Sequence, residues 1–218
     1  MWLQRCISYS NVKSWFALAA LALALGGCAS GSGTPSPRKA ASAIAEDPAA
    51  REVSPQAQTL YEQAVAIMAS GDNLEAQFRF EEFVLRYPDY PGAYTNLAII
   101  HAQNGDDAGA EGRITDALMI DPRHAPTLNQ LGMLLRRQGK FVEAEAAYLR
   151  ALEADSSYLL AHYNLGVLYE LYLQKLDQAL VHFEKYQSLI GEDKQVERWI
   201  TDLRRRVERN QRTANVTE

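Results

Sequence analysis

Reactive or metal-binding chemistry in this 218-residue chain would have to start from the thiols of Cys6 and Cys28 or the imidazoles of His101, His124, His162 and His182. Zinc sites use close pairs, such as two histidines four residues apart around a glutamate, and here no two histidines stand closer than 20 residues. There is no Gly-x-Ser-x-Gly nucleophile elbow and no glycine-rich phosphate loop, so neither an activated nucleophile nor a nucleotide cradle is spelled out. His101 reads as a packed or half-exposed helix residue. The expectation is a non-enzyme with no cofactor and no metal.

Cys28 differs because of what precedes it. Arg5 and Lys13 flank a polar start, and an uninterrupted apolar run of 11 residues extends from Trp15 to Leu25. A membrane-crossing helix needs about 20 apolar residues, so this run has the length of a secretion-signal core instead. The small residues of Leu25-Gly26-Gly27-Cys28 then complete a pattern that resembles the bacterial lipobox. That resemblance implies diacylglycerol on the Cys28 thiol, cleavage before it and acylation of the freed amine. Ala29, in place of the aspartate of an inner-membrane retention signal, further implies sorting to the outer membrane, facing the periplasm. An ordinary cleaved signal with a chance cysteine, or an uncleaved anchor, are the competing readings. Each buried methylene contributes about 0.8 kcal/mol, so three acyl chains would hold the protein in outer-membrane lipid essentially permanently. Cys6 would leave with the leader and Cys28 would be acylated, so no internal disulfide can form.

Removing residues 1–27 leaves 218 − 27 = 191 residues and takes away two bases, moving the formal charge from −5 to −7. A mildly acidic body lacks the clustered cations that phosphate backbones require, which excludes nucleic acid as an expected partner. Residues 29–55 are rich in Ala, Ser, Gly and Pro and lack aromatics, so they cannot bury enough surface to offset ordering entropy. Residues 28–54 are therefore read as lipidated cysteine and flexible tether. A coil of that length spans about 26 to 31 Å.

From residue 55 the chain compares with itself at a shift of 34: Gly71, Gly105, Gly139; Ala76, Ala110, Ala144; Leu97, Leu131, Leu165; and Pro88, Pro122, then Ser156. A helix-turn-helix unit of 34 residues with this column pattern resembles the tetratricopeptide repeat (TPR). The expected fold is all-α: a short TPR solenoid over residues 55–190, with units of about 57–90, 91–124, 125–158 and 159–190. Small residues at helix crossings allow close approach, large ones fill beside them, and proline stops the second helix. The fourth unit opens on "AHYNLGVLY" but departs afterwards: it has no turn glycine, and Ala179 follows Ala144 by 35 residues instead of 34. The register of its second helix is left open at this point.

Residues 191–218 are read as a capping helix and tail, with Val196, Trp199, Ile200, Leu203 and Val207 on one stripe. Arg204, Arg205, Arg206, Arg209 and Arg212 suggest either an anionic-lipid or peptidoglycan patch or a solvated face, because residues 192–218 hold seven bases against six acids. "LYELYLQKL" raises a similar choice. Tyr169, Leu171, Tyr172 and Leu173 are more apolar than one helix face can bury, giving either an elongated helix under the cap or a docking or dimerising patch, and hence a homo-oligomer.

In the resembled family the first helix of each unit lines a concave groove that receives peptides or helices. By register the groove would be lined by Tyr61, Thr95, Asn129 and Tyr163 in one row, with Met133, Arg136 and Glu170 further along. Asn96 and Asn164 fall nearby in a structural or a binding role. The lysine-and-asparagine clamp of chaperone-binding members is absent, since Thr95, Ile99, Asn129 and Met133 stand in its places. What the resemblance implies is a non-catalytic scaffold lipoprotein whose partners are envelope proteins or peptides. It would assist assembly or positioning of an envelope complex such as a type IV or tight-adherence pilus or a secretin. The alternative is an adaptor that regulates peptidoglycan synthases or hydrolases.

Overall fold

A computed structural model describes residues 54–191 and 193–216. The leader, Cys28 and all but the last residue of the tether lie outside the described residues. Among those described the structure is all-helical, in nine helices with no strand. They run as α1 (Pro55–Ser70), α2 (Asn73–Arg86), α3 (Pro91–Gln103), α4 (Asp107–Ile120), α5 (Ala125–Arg137), α6 (Phe141–Ala154), α7 (Leu159–Val167), α8 (Leu176–Ile190) and α9 (Lys194–Val216). No helix among these residues is long and apolar enough to cross a membrane.

Four hairpins follow from local chemistry. Asp72 and Asp106 cap α2 and α4, accepting from the backbone N–H of Glu75 at 3.1 Å and of Gly109 at 2.9 Å. Pro91 and Pro126 lie in the first turns of α3 and α5, where a missing N–H costs nothing. At the hairpin bends Gly71, Gly105 and Gly139 take φ of 94°, 78° and 77°, the left-handed conformation that closes a helix. The Asp106 N–H bonds back to the His101 carbonyl at 2.9 Å and the Lys140 N–H to Leu135 at 2.9 Å, which satisfies carbonyls left free at the helix ends.

Each hairpin closes on one tight crossing. A methyl group placed on Gly132 in α5 would lie 2.5 Å from the Tyr148 ring of α6, and one on Gly166 in α7 would lie 2.6 Å from the Phe183 ring of α8. Ala98 and Ile114 hold the same two columns in the second hairpin, and Ala64 and Phe80 in the first; all are buried. The pair Gly166 and Phe183 also settles the register that the extra residue left open. Phe183 stands 35 residues after Tyr148, so the insertion falls before α8.

The extra residue is absorbed by a π-helical turn, Leu168–Tyr172, that extends α7. The Leu173 N–H reaches Leu168 at 3.0 Å and the Lys175 N–H reaches Tyr169 at 2.9 Å, one residue wider than the corresponding bends. Gln174 takes the left-handed position with φ of 55°, and its side-chain amide donates to the Glu170 carbonyl at 3.0 Å. Glycine could supply the backbone conformation but not that donor.

The helices stack in series. First helices α3, α5 and α7 pack on one another, whereas second helices of neighbouring repeats barely meet, so the stack curves with its first helices inside. At the carboxyl end α9 is capped by Asp193, whose carboxylate accepts from Gln195 N–H at 2.8 Å and Val196 N–H at 3.2 Å. It lays Val196, Ile200, Leu203 and Val207 into the core shared with α7 and α8, while the Trp199 ring lies 4.3 Å from that of Phe183. The cap is where the stripe placed it.

Two glycines separate packing from propensity. Gly132→Val should lower thermal stability by about 1 to 3 kcal/mol through overpacking. Gly112→Ala, with open space around the added methyl, should raise it by about 0.4 to 1 kcal/mol. Denaturant melts of both variants check the register; a neutral Gly132→Val would contradict it.

Candidate functional site

The inner face of first helices is the site to build, and the structure redistributes the residues expected to line it. A polar seam runs between successive first helices. Asn96 of α3 donates to the Tyr61 hydroxyl of α1 at 3.0 Å, and Asn164 of α7 donates to Asn129 of α5 at 2.9 Å. Between them Thr95 and Thr127 share a hydrogen bond of 2.6 Å. Thr95 donates its proton to the Pro91 carbonyl, so Thr127 donates to Thr95 and the His124 Nδ1–H donates to Thr127 at 2.6 Å. Burial pushes the His124 imidazole pKa down, consistent with a neutral donor.

These bonds correct the expected lining. Thr95 and Asn129 are buried between helices, and Glu170 is buried against the cap, where Arg206 of α9 forms an ion pair with it. Tyr163 is half-buried among the rings of Phe183, Tyr186 and Trp199, at 6.1, 5.3 and 6.1 Å. Tyr61 is half-buried, with Phe80 at 5.9 Å and Phe83 at 5.7 Å. Asn96 and Asn164 have the structural role. Thr95, Asn129 and Tyr61 point along the stacking direction to the next first helix, where a mutually bonded polar side chain can be buried, whereas Tyr163 and Glu170, at the end of the stack, meet the cap instead.

One turn further along, Val65, Ile99 and Met133 stand 34 residues apart and remain half-buried. Their equivalent places in successive repeats align them as an apolar strip, of which Met133 alone was expected from register; Met133 also packs on the core of α7, α8 and α9 and its sulfur accepts from the Asn129 amide at 3.7 Å. Arg136 follows it on α5, half-buried with its guanidinium 5.7 Å from the Tyr172 ring. Burial pushes the neighbouring Tyr148 phenol up to about 12, against the pull of Arg136. The helical spacing that exposes this row was readable, but which of two adjacent rows turns inward depends on how the helices cross.

The histidines are all engaged. His101 Nδ1 and the Asp106 carboxylate lie 2.8 Å apart. The Gly109 N–H, then His101, hold that carboxyl below its usual range. His162 and His182 bring their Nδ1 atoms to 3.0 Å, linking α7 to α8. The His162 Nε2–H donates to the Ser156 carbonyl at 3.2 Å, so its bare Nδ1 accepts from His182. Burial pushes His182 down to about 4, with His162 beside it adding to the shift, and burial also lowers His162. Among the described residues no group of three or more His, Cys, Asp or Glu could hold a metal.

The Arg cluster of α9 is largely paired. Arg206 meets Glu170, Arg204 meets Glu184, and Arg212 lies 3.7 Å from Glu208, while Arg205 and Arg209 are exposed. In the "LYELYLQKL" stretch the two readings divide by residue. Tyr169 is buried and donates to Glu145 at 2.7 Å, whereas Leu171 and Tyr172 are 59% and 43% exposed.

Serial helical hairpins with small-against-large crossings and glycine bends define a helical-repeat solenoid. Two stretches of the chain match tetratricopeptide-repeat families: residues 61–123 the one described as tetratricopeptide repeat, and residues 132–172 the one described as TPR repeat. Among solved structures it is similar to PilF of Pseudomonas aeruginosa, at 24% identity over 70% of this chain and 69% of that one, with a TM-score of 0.62. The thermophilic TPR protein TTC0263 of Thermus thermophilus is similar at 24% identity over 67% and 80%, with a TM-score of 0.60. These likenesses show the fold. A curated relative is the probable peptide N-acetylglucosaminyltransferase SPINDLY of Hordeum vulgare, 34% identical over 113 residues. That match takes in 49% of this chain but spans only 12% of the relative.

Two measurements probe these contacts. Arg206→Ala should cost on the order of 2–3 kcal/mol by leaving Glu170 charged and buried, more than Arg204→Ala at an exposed pair. The histidine pair has depressed folded-state values, so the unfolded chain binds more protons in acid. Stability should therefore be full above about pH 6.5 and fall as pH drops toward 4. Melting curves of the native chain and of His182→Gln across that range should diverge least at low pH.

Proposed function

We propose that the protein is a non-catalytic, protein-binding scaffold of the bacterial envelope, held in the outer membrane by lipid on Cys28 and facing the periplasm. The observation that carries the binding role is the half-buried apolar strip Val65, Ile99 and Met133 on the inner face of the stack. Such a strip costs little to leave in water yet gains from covering by a peptide or helix, while the rigid hairpins below it preorganise the surface. Tyr61, Arg136 and Tyr163 border it and, with Met133 within it, are the expected residues that still show surface. The lipid anchor rests on Leu25-Gly26-Gly27-Cys28.

The particular version proposed is assistance in assembling or positioning a pilus or secretin complex, drawn from the resemblance to envelope lipoproteins with such repeats. The likeness to PilF is in keeping with it and contributes the fold alone.

Cys28→Ser should shift the protein from the outer-membrane fraction to the soluble periplasmic fraction without loss of folding. Fixed membrane association in that variant would refute the anchor. Met133→Glu, at a half-buried position, should leave the circular dichroism of the repeats intact and abolish crosslinking to envelope partners. Recovery of secretin or pilus components from the native chain supports the assembly role; recovery of wall hydrolases alone overturns it.

A further inference from the structure

The π-helical turn that absorbs the inserted residue also changes what the fourth repeat shows to solvent. Counting back from the left-handed Gln174, Tyr172 takes the place that Arg137 holds in the third repeat and Gln103 in the second, and Leu171 precedes it inside the widened turn. A polar place at a hairpin end has become a tyrosine 43% exposed, beside a leucine 59% exposed. Neither is among the side chains packed on the core of α7, α8 and α9, although Tyr169 and Leu173 on either side are. The wider turn rolls these two side chains outward, and π turns of this kind recur at functional positions.

Their surroundings give the patch a sign. Tyr172 leans on the Phe141 ring at 4.8 Å, so the first residue of α6 extends the apolar platform. The Arg136 guanidinium lies against Tyr172, not against a carboxylate. Lys140, next to Phe141, is exposed at the start of α6. Of the carboxylates on the adjoining elements, Glu145 accepts from Tyr169 and pairs with Lys175 at 3.3 Å, Glu170 is buried against Arg206, and Glu143 is exposed in the first turn of α6. A bulky apolar platform flanked by Arg136 and Lys140, neither of which forms an ion pair among the described residues, complements an acidic segment carrying large apolar residues.

We propose that Leu171, Tyr172 and Phe141, flanked by Arg136 and Lys140, form a docking surface for an acidic–apolar segment of a partner protein, adjoining the Val65–Met133 strip at Arg136. This deepens the scaffold reading and rests on it: the strip would hold a partner in register, and the platform would select partners that present acid beside leucine or phenylalanine. Covering the platform buries surface that the repeat pattern elsewhere keeps polar, and the cations bias encounter toward negative segments at low salt.

The test uses the full unlipidated chain, Cys28→Ser, and a fluorescein-labelled peptide of alternating Glu and Leu. Fluorescence anisotropy should show saturable binding that weakens as salt rises. Leu171→Ser with Tyr172→Ser, and separately Arg136→Glu, should each weaken binding about tenfold or more, as expected for central anchors and a flanking charge. Circular dichroism and melting temperature keep a folding defect apart from a binding defect, and Lys140→Glu is a second charge reversal at an exposed site. Equal binding of a Lys–Leu peptide, or unchanged binding in the serine pair, overturns the proposal. So does sedimentation showing that the serine pair only abolishes self-association, since the occupant would then be a second copy. If Met133→Glu abolishes envelope crosslinking while the serine pair leaves it intact, the scaffold stands and the acidic-segment surface falls.

Discussion

Close approach of two helices, made possible by a small residue facing a large one, is the constraint on which the stack depends. Gly132 under Tyr148 and Gly166 under Phe183 show its tightest form, with no room for a single methyl group. Where the small column holds alanine, as at Ala98, the facing column holds Ile114, a smaller partner than tyrosine. In the second hairpin the two columns compensate in volume, whereas the first sets Ala64 against Phe80, so what all four share is a small residue facing a larger one. Hairpins closed in this way present the same flank to the next, and only then can stacking continue in series.

Serial stacking has a second requirement, because the flanks of first helices carry polar side chains. Thr95, Thr127 and His124 form one directed chain of hydrogen bonds, and Asn96 with Tyr61 and Asn164 with Asn129 form single links. An apolar contact could slide; a bonded polar pair defines where each repeat sits on its neighbour, since a shifted helix would leave buried donors unsatisfied. The same logic closes the array. Glu170 would be a buried charge at the open end of the fourth repeat, and Arg206 arrives from α9 to meet it as Trp199 covers the aromatic cluster.

The one departure from the period illustrates how a solenoid tolerates an insertion. A residue added before α8 could have rotated the whole helix by about 100° and turned Phe183 out of the core. The chain instead widens one turn, Leu168–Tyr172, and closes it with the Gln174 side chain. Register downstream is preserved, at the cost of exposing Leu171 and Tyr172. Local irregularity is thereby confined to the surface.

Composition and period determined a good deal unaided. The 34-residue columns state the number of hairpins, their bends and the apolar stripe of the cap, because period and residue volume are local properties that any helix of this sequence must carry. Cys28 and its preceding residues are likewise a reading of the sequence alone. What tertiary structure decided is which of two neighbouring rows on the first helices faces the groove. Thr95, Asn129 and Glu170 look like lining residues on a helical wheel, yet they are turned into the seam or under the cap, and Val65, Ile99 and Met133 stay half-buried on the inner face. A wheel gives the angle between rows but not the crossing of one helix on the next. That crossing is set by the packing of residues 30 or more apart in the chain, so the binding surface emerges only when the repeats are stacked.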